Sequence, residues 1–242
     1  MKKLLSIGVI LSSFIFIKCD SESSTEATFQ GELEAVKLAE KMFKAIGGKA
    51  RWCELNSLYI KAIHTEPQLE NPYTSQIWRA IDHFKLVIEQ NNEDFHAKAE
   101  IDSTQGKITY LDKRDTFRIL TEEQLANWKH DHQHNIYVLL HDLGCTPSNY
   151  LAKIEENGRL SFYQNETLVT SFELDDQLRP HIFYAPNPEG ELVGSRFRKW
   201  GTDNGLVHSA GGHPLDSNFI YDTEIWQGSE QSFDAAFPNL GN

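Results

Sequence analysis

Cysteine is scarce, with three in 242 residues, too few for the disulfide frameworks that hold small secreted domains together. Positive charge is scarce too. Only 23 Lys and Arg stand against 35 Asp and Glu, a formal net charge of −12. This excludes the clustered cations that phosphate contacts with nucleic acid need, and it weighs against docking on anionic lipid. No apolar run reaches the roughly 20 residues of a membrane-spanning helix; the longest, Leu4 to Ile17, falls well short. Catalytic signatures are missing as well. There is no G-x-S-x-G elbow, no phosphate-binding glycine loop and no C-x-x-C pair, and the Ser, His and Asp residues are scattered without the local context such motifs supply. No supersecondary unit repeats and no interior linker breaks the chain, so residues 31–242 are expected to form one domain.

What is present begins with Met1-Lys2-Lys3, the apolar run, and then "FIFIKCDSES", where the composition turns polar. That is the layout of an export signal. The stretch resembles a bacterial lipoprotein signal over residues 1–18, with Cys19 as the lipidated residue. Lys18 departs from the small side chain that usually precedes such a cysteine. Each acyl CH₂ buried in a bilayer contributes about 0.8 kcal/mol, so palmitate-type chains on Cys19 would hold the protein at a membrane. Residues 19–30 would serve as a flexible tether rich in Ser, Glu and Thr. The alternative is a secreted protein in which Cys19 is incidental. If Cys19 carries lipid, Cys53 and Cys145 are the only possible pair, and an oxidising compartment allows one bridge.

With 40% hydrophobic and 11% aromatic residues the remainder can bury a core. Val36, Ala39, Phe43 and Ile46 recur at helical steps, and Gly47-Gly48 ends that helix. "FKLVIEQNNEDFHAKAEID" predicts a hairpin, with Phe84, Leu86 and Ile88 on one strand, Asn91-Asn92 at the turn, and Phe95, Ala97, Ala99 and Ile101 returning. "SQIWRAID" fits strand or helix. "GKITYL" and "TFRIL" follow as short strands. One interior helix is expected from Thr121 to Gly144, with Leu125, Trp128, Ile136, Leu139, Leu140 and Leu143 as its apolar stripe. From Leu160 the chain is a meander of strands punctuated by "NE", "DDQL", "PNPEG", "TDNG" and "GGHPLD".

Histidines crowd the interior helix. His130, His134 and His141 fall on one face, while His132 falls on the apolar stripe. Two imidazoles one turn apart can chelate zinc, and His130-Asp131-x-x-His134 is one carbon short of H-E-x-x-H. The face opposite an apolar stripe is ordinarily just solvated, so no metal or cofactor is expected. A zinc-dependent hydrolase built on His130 and His134 is the alternative. Gly211-Gly212-His213-Pro214 suggests a tight turn, with a backbone anion nest as the other reading. Asp175-Asp176 and Glu155-Glu156 sit at expected turns, where exposed acids are ordinary.

The order of "AIGGKARW", "LNSLYIKA", the long meander with "PNPEGELVGSRFRKW", and the late "GHPLDSNFIYDTEIW" resembles the outer-membrane lipoprotein carriers and receptors (LolA/LolB-like), over roughly residues 33–227. Trp200-Gly201 and the histidine-rich helix depart from that pattern. The resemblance implies a mainly β, α+β fold. A single curved antiparallel sheet, a half-barrel of about eleven strands, would carry helices on its concave face, with an apolar cavity between them. It also implies packing that brings Cys53 and Cys145 towards each other, bridged or free. The expected function is binding of a lipid, or of the acyl chains of a lipidated protein, in the cell envelope, periplasmic or outer-membrane associated. A structural adaptor with a filled core is a further alternative. Candidate lining residues are Phe84, Leu86, Ile88, Phe95, Leu139, Leu143, Phe172, Ile182, Phe183 and Phe197. Mass spectrometry of membrane-extracted protein is expected to find an N-terminal peptide that starts at Cys19 and carries acyl mass; a soluble product cut elsewhere would contradict lipidation.

Overall fold

The structure, a computed structural model, describes residues 27–112 and 116–240. The expected signal and Cys19 lie outside the described residues, as does most of the expected tether. Its last part is not a tether. Phe29 is buried against Phe43 and Phe162, with ring centroids 5.7 and 5.1 Å apart, so the chain enters the core before residue 30.

The chain then forms β1 (Gln30–Gly31), α1 (Leu33–Ala45), α2 (Lys49–Cys53), β2 (Ser57–Thr65), β3 (Tyr73–Ala80), β4 (Lys85–Asn91), β5 (His96–Asp102), β6 (Gly106–Tyr110) and β7 (Thr116–Ile119). Helices α3 (Glu122–Gln133) and α4 (Ile136–Cys145) follow, then β8 (Leu151–Ile154), β9 (Leu160–Gln164), β10 (Thr167–Leu174), β11 (Pro180–Pro186), β12 (Leu192–Asp203), β13 (Leu206–Pro214), β14 (Ile220–Ser229) and α5 (Phe233–Ala236). One open, curved sheet holds all fourteen strands, in the order β1-β8-β9-β10-β11-β12-β13-β14-β2-β3-β4-β5-β6-β7. Every neighbouring pair is antiparallel except β1 and β8. The fold is mainly β and α+β as expected, with fourteen strands in place of about eleven. Two-residue β1 and four-residue β8 extend one edge. Among the described residues no helix is long and apolar enough to cross a membrane.

Alternation explains the sheet's two faces. In β4 and β5, Leu86 stands opposite Ile101 and Ile88 opposite Ala99, the hairpin read from sequence. "SQIWRAID" is strand, so Ile77 and Trp78 point to opposite sides. Trp78 packs outward with Ala80, Val87 and Phe233 of α5. The inner face packs on α1, α2 and α4 through Met42, Phe43, Trp52, Leu143, Leu160, Phe162 and Phe172. Asn165-Glu166 and Asn204-Gly205 take the positive φ values that two-residue hairpin turns require.

Three expectations fail for local reasons. The interior helix is two helices: Thr121 opens α3 with a capping box on Gln124, but Asn135 accepts from Tyr137 N at 3.1 Å and starts α4 afresh. "GGHP" is not a turn. It lies within β13, where a Cβ at Gly212 would sit 2.5 Å from Arg196 O and 2.8 Å from Tyr221 Oη. Gly144 likewise does not end α4, which runs on to Cys145; a Cβ there would lie 2.7 Å from Lys49 O, so glycine lets α2 and α4 approach closely.

That approach joins Cys53 to Cys145 in a disulfide, with Cα atoms 4.7 Å apart and 92 residues between them in sequence. A bridge closing so long a loop removes much unfolded-state freedom. Replacing both cysteines with Ser is expected to cost roughly 2–4 kcal/mol and to lower Tm. Titration of denatured, unreduced protein should find neither thiol; two reactive thiols beyond Cys19 would contradict the bridge.

Candidate functional site

The link from β7 to β8 must travel from one edge region of the sheet to the other, and α3 and α4 carry it over the inner face. Leu125 and Trp128 of α3 settle on Phe84, Ile101 and Leu120. Tyr137, Val138, Leu140 and Leu143 of α4 settle on the core around Trp52. At the junction between the helices Ile136 reaches the same core without filling the space below it. Beneath it lies a cleft of about 370 Å³.

Ile60 and Ala62 of β2 and Ile77 of β3 form its floor, Phe183, Ala185, Val193 and Phe197 of β11 and β12 form one wall, and Ile136 and Tyr137 form its roof. Its polar groups are His64, Ser195, Tyr221 and Thr223 in the walls, Asn187 in the turn after β11, and Asp131, His134 and Asn135 at the helix junction. Val193 is 44% exposed and Asp131 is exposed, so the cleft opens beside them. An apolar cavity with a few convergent polar groups is the common form of a small-molecule site.

The structure brings only Phe183 and Phe197, of the ten lining candidates, to this cleft. Leu86, Leu139, Leu143 and Phe172 are fully buried packing residues. Phe84 is part of the cluster under α3, its ring 5.2 Å from that of His132. Ile182 adjoins Phe183 and so points to the opposite face of the sheet. Ile88 pairs with Ile77 one strand further from the cleft. Phe95 sits at the hairpin end against Tyr73. Ile60, Ala62, Ile77 and His64 were missed, although Leu58, Ile60, Ala62 and His64 alternate along β2 and mark one face.

The histidines do not share a solvated face, because the helix breaks after Gln133. His141 belongs to α4 and is buried beside Cys145 and Asp142. His130 and His134 are half-buried and stacked, with centroids 4.0 Å apart. His130 Nε2–H donates to Pro186 O, and His134 Nδ1–H donates to His130 O, each at 2.9 Å. Burial lowers the His134 pKa. Among the described residues no group of three or more His, Cys, Asp or Glu is arranged to hold a metal ion. One acid of each pair is structural: Asp175 binds Arg179 at 2.7 Å, and Glu155 accepts from Tyr163 and Lys153, while Asp176 and Glu156 are exposed.

A larger hollow, about 760 Å³, lies between α2 and the β12–β13 turn, lined by Arg51, Glu54, Asp203 and Glu230 among others. Its polar groups already serve the fold. Arg51 donates to Asn204 O, and Asp203 accepts from Gly228 N at 3.2 Å. The cleft under the helix junction is the better candidate because its lining is largely apolar.

His132 pins α3 beside this cleft. Its Nδ1 accepts from Arg79 Nη1 at 3.0 Å, so the ring must be neutral. Burial first, and then the Arg79 charge, hold its pKa down to about 3. Since the unfolded value is near 6.5, the unfolded chain takes up the proton first as pH falls. Stability is therefore full above that value and is lost progressively towards the folded one. For His132 the loss by pH 5 is about 2 kcal/mol, and His64, lowered to about 4 by burial, acts in the same direction. The urea midpoint is expected to fall between pH 7 and pH 5, and less so in His132→Gln; an unchanged or higher midpoint at pH 5 would contradict this.

No family model matches the chain, and no curated protein matches it. Among solved structures it is similar to a crystal structure of a DUF1329 family protein from Desulfovibrio piger, at 8% identity and a TM-score of 0.49, covering 84% of this chain and 95% of that one. A likeness at that level says nothing of a ligand.

Proposed function

We propose that this protein binds a small amphiphile, inserting its apolar tail into the cleft beneath the α3–α4 junction. The observation that carries this is the cleft itself: an apolar floor and wall left uncovered because the roofing helix breaks at Asn135. Its volume of about 370 Å³ lies at the lower end of the ~300–1,000 Å³ range of ligand sites. That suits one tail better than the several acyl chains of a lipoprotein. Removing about 200 Å² of tail from water contributes about 5 kcal/mol, enough for useful affinity. The resemblance of the sequence to LolA/LolB-like carriers supports a lipid-related ligand. The export signal and Cys19 support attachment to a bacterial envelope membrane, with the domain outside the bilayer. The zinc-hydrolase alternative would need a third ligand beside His130 and His134, which the described residues do not supply.

Organic extraction of protein purified without detergent is expected to recover a single-tailed amphiphile. Ala62→Phe fills the floor and Val193→Arg charges the mouth. Each is expected to weaken binding about tenfold or more, the equivalent of about 1.4 kcal/mol, with little change in Tm. Undiminished binding in both variants would overturn the assignment of the cleft.

A further inference from the structure

Three buried side-chain atoms among the described residues have no hydrogen-bond partner: His64 Nδ1, Asn92 Nδ2 and Trp226 Nε1. Of these residues only His64 lines the cleft. Buried polar atoms are nearly always paired, so an unpaired one on a residue that lines a cavity calls for a physical reason; Nδ1 itself is covered, so a ligand group reaches it by parting the side chains over it.

The other ring nitrogen identifies what His64 offers. Nε2 lies against Ser75 Oγ. Ser75 is 1% exposed, and among the described residues this is the only hydrogen bond of its side chain. Its hydroxyl hydrogen therefore has one destination, the lone pair on Nε2. A neutral imidazole has one bare nitrogen and one N–H, so the proton sits on Nδ1. Burial keeps the ring neutral, lowering its pKa to about 4. The charged group acting on it, Glu66, is engaged by the Tyr73 hydroxyl at 2.8 Å. Tyr73 and Phe219 stack on the ring at 4.8 and 5.2 Å and fix its plane. Across the cleft wall, the Tyr221 hydroxyl is already paired with Ser209 Oγ at 3.1 Å.

We infer that His64 is the polar recognition point of the cleft: its Nδ1–H donates to the carbonyl oxygen of a long-chain acid or ester whose tail occupies the apolar floor. This rests on the cleft binding an amphiphile at all. The chemistry selects against two neighbouring classes. An alkane offers no acceptor and leaves Nδ1 unpaired, while an alkylammonium brings only donors. A site built to hydrogen-bond a ligand rejects analogues that lack the matching group.

The test uses the full chain at pH 7 with dodecanoic acid, its methyl ester, dodecylamine and dodecane, each by displacement of a fluorescent apolar probe. The acid, the ester or both are expected to bind about tenfold or more tighter than the amine and the alkane. Tighter binding of the ester identifies esters as the source, and of the acid, free acids. His64→Phe keeps the stack between Tyr73 and Phe219 but removes the N–H; it is expected to erase the preference, bringing the acid and the ester down to the level of the alkane. A preference that survives His64→Phe overturns the role of His64 and leaves the cleft reading intact. If neither the fluorescent probe nor any of the four ligands binds the unaltered protein, the cleft reading itself fails. Histidine ¹⁵N shifts give a readout that needs no variant: the Nδ1–H tautomer is expected with and without dodecanoic acid, and an Nε2–H tautomer would overturn the inference.

Discussion

The connection between β7 and β8 constrains everything else. Twelve strand spacings separate these two strands in the sheet order, which at ~4.8 Å each would be about 58 Å if the sheet were flat. Helices α3 and α4, from Glu122 to Cys145, span about 36 Å at ~1.5 Å per residue. Helices that short bridge so distant strands only when the sheet curls and the link follows the chord, not the arc. The curvature, the inner position of the helices and the long pairing of β14 with β2 that joins the two halves of the meander are aspects of one solution. A sheet face this wide must be covered by something, and the crossing helices cover most of it.

The crossing is held most firmly at its two ends. On one side Arg79, half-buried on the inner face, grips His132 of α3 while Leu125 and Trp128 pack beneath. On the other, the Cys53–Cys145 bridge ties α4 to α2, whose Trp52 is the centre of the main core. Between these anchors Asn135 ends one helix and starts the next, and there the roof stands off from Ile60, Ala62 and Ile77. The cleft is thus a consequence of how the span is anchored, lying where neither anchor pulls the helices down.

Much of this was legible in the sequence, and the failures have physical causes. Alternation in residues 84–101 determined a hairpin because one face is buried and a one-residue slip would turn Leu86 and Ile101 outward. The "NE" and "TDNG" turns were legible because asparagine and glycine tolerate positive φ. The helix break was hidden because Leu125, Trp128, Ile136 and Leu139 keep their period across it; a capping asparagine in an unbroken pattern carries little signal. Ile182 and Phe183 looked alike because both are apolar, yet adjacency in a strand sends them to opposite faces. Gly211-Gly212 resembled a turn because glycine also serves close strand contact. Which apolar residues would line a cavity depended on where the crossing helices touch down, and that is set by contacts far apart in sequence.

The polar residues on the inner face complete the physical picture. Arg79, Ser75 and His64 all occupy positions on β2 and β3 whose neighbours are apolar, and burying such groups costs free energy unless each finds a partner. Arg79 finds one in His132, and Ser75 finds one in His64. The series ends at His64, whose remaining nitrogen has no partner among the described residues. A Leu or Val at position 64 would continue the alternation of Leu58, Ile60 and Ala62 without that cost. Local rules are most often broken where function needs it. The one break in the alternation of β2 falls in the wall of the one largely apolar cleft that the crossing helices leave open among the described residues. An uncompensated cost and an uncovered apolar surface occurring together favour a ligand that brings both a tail and an acceptor.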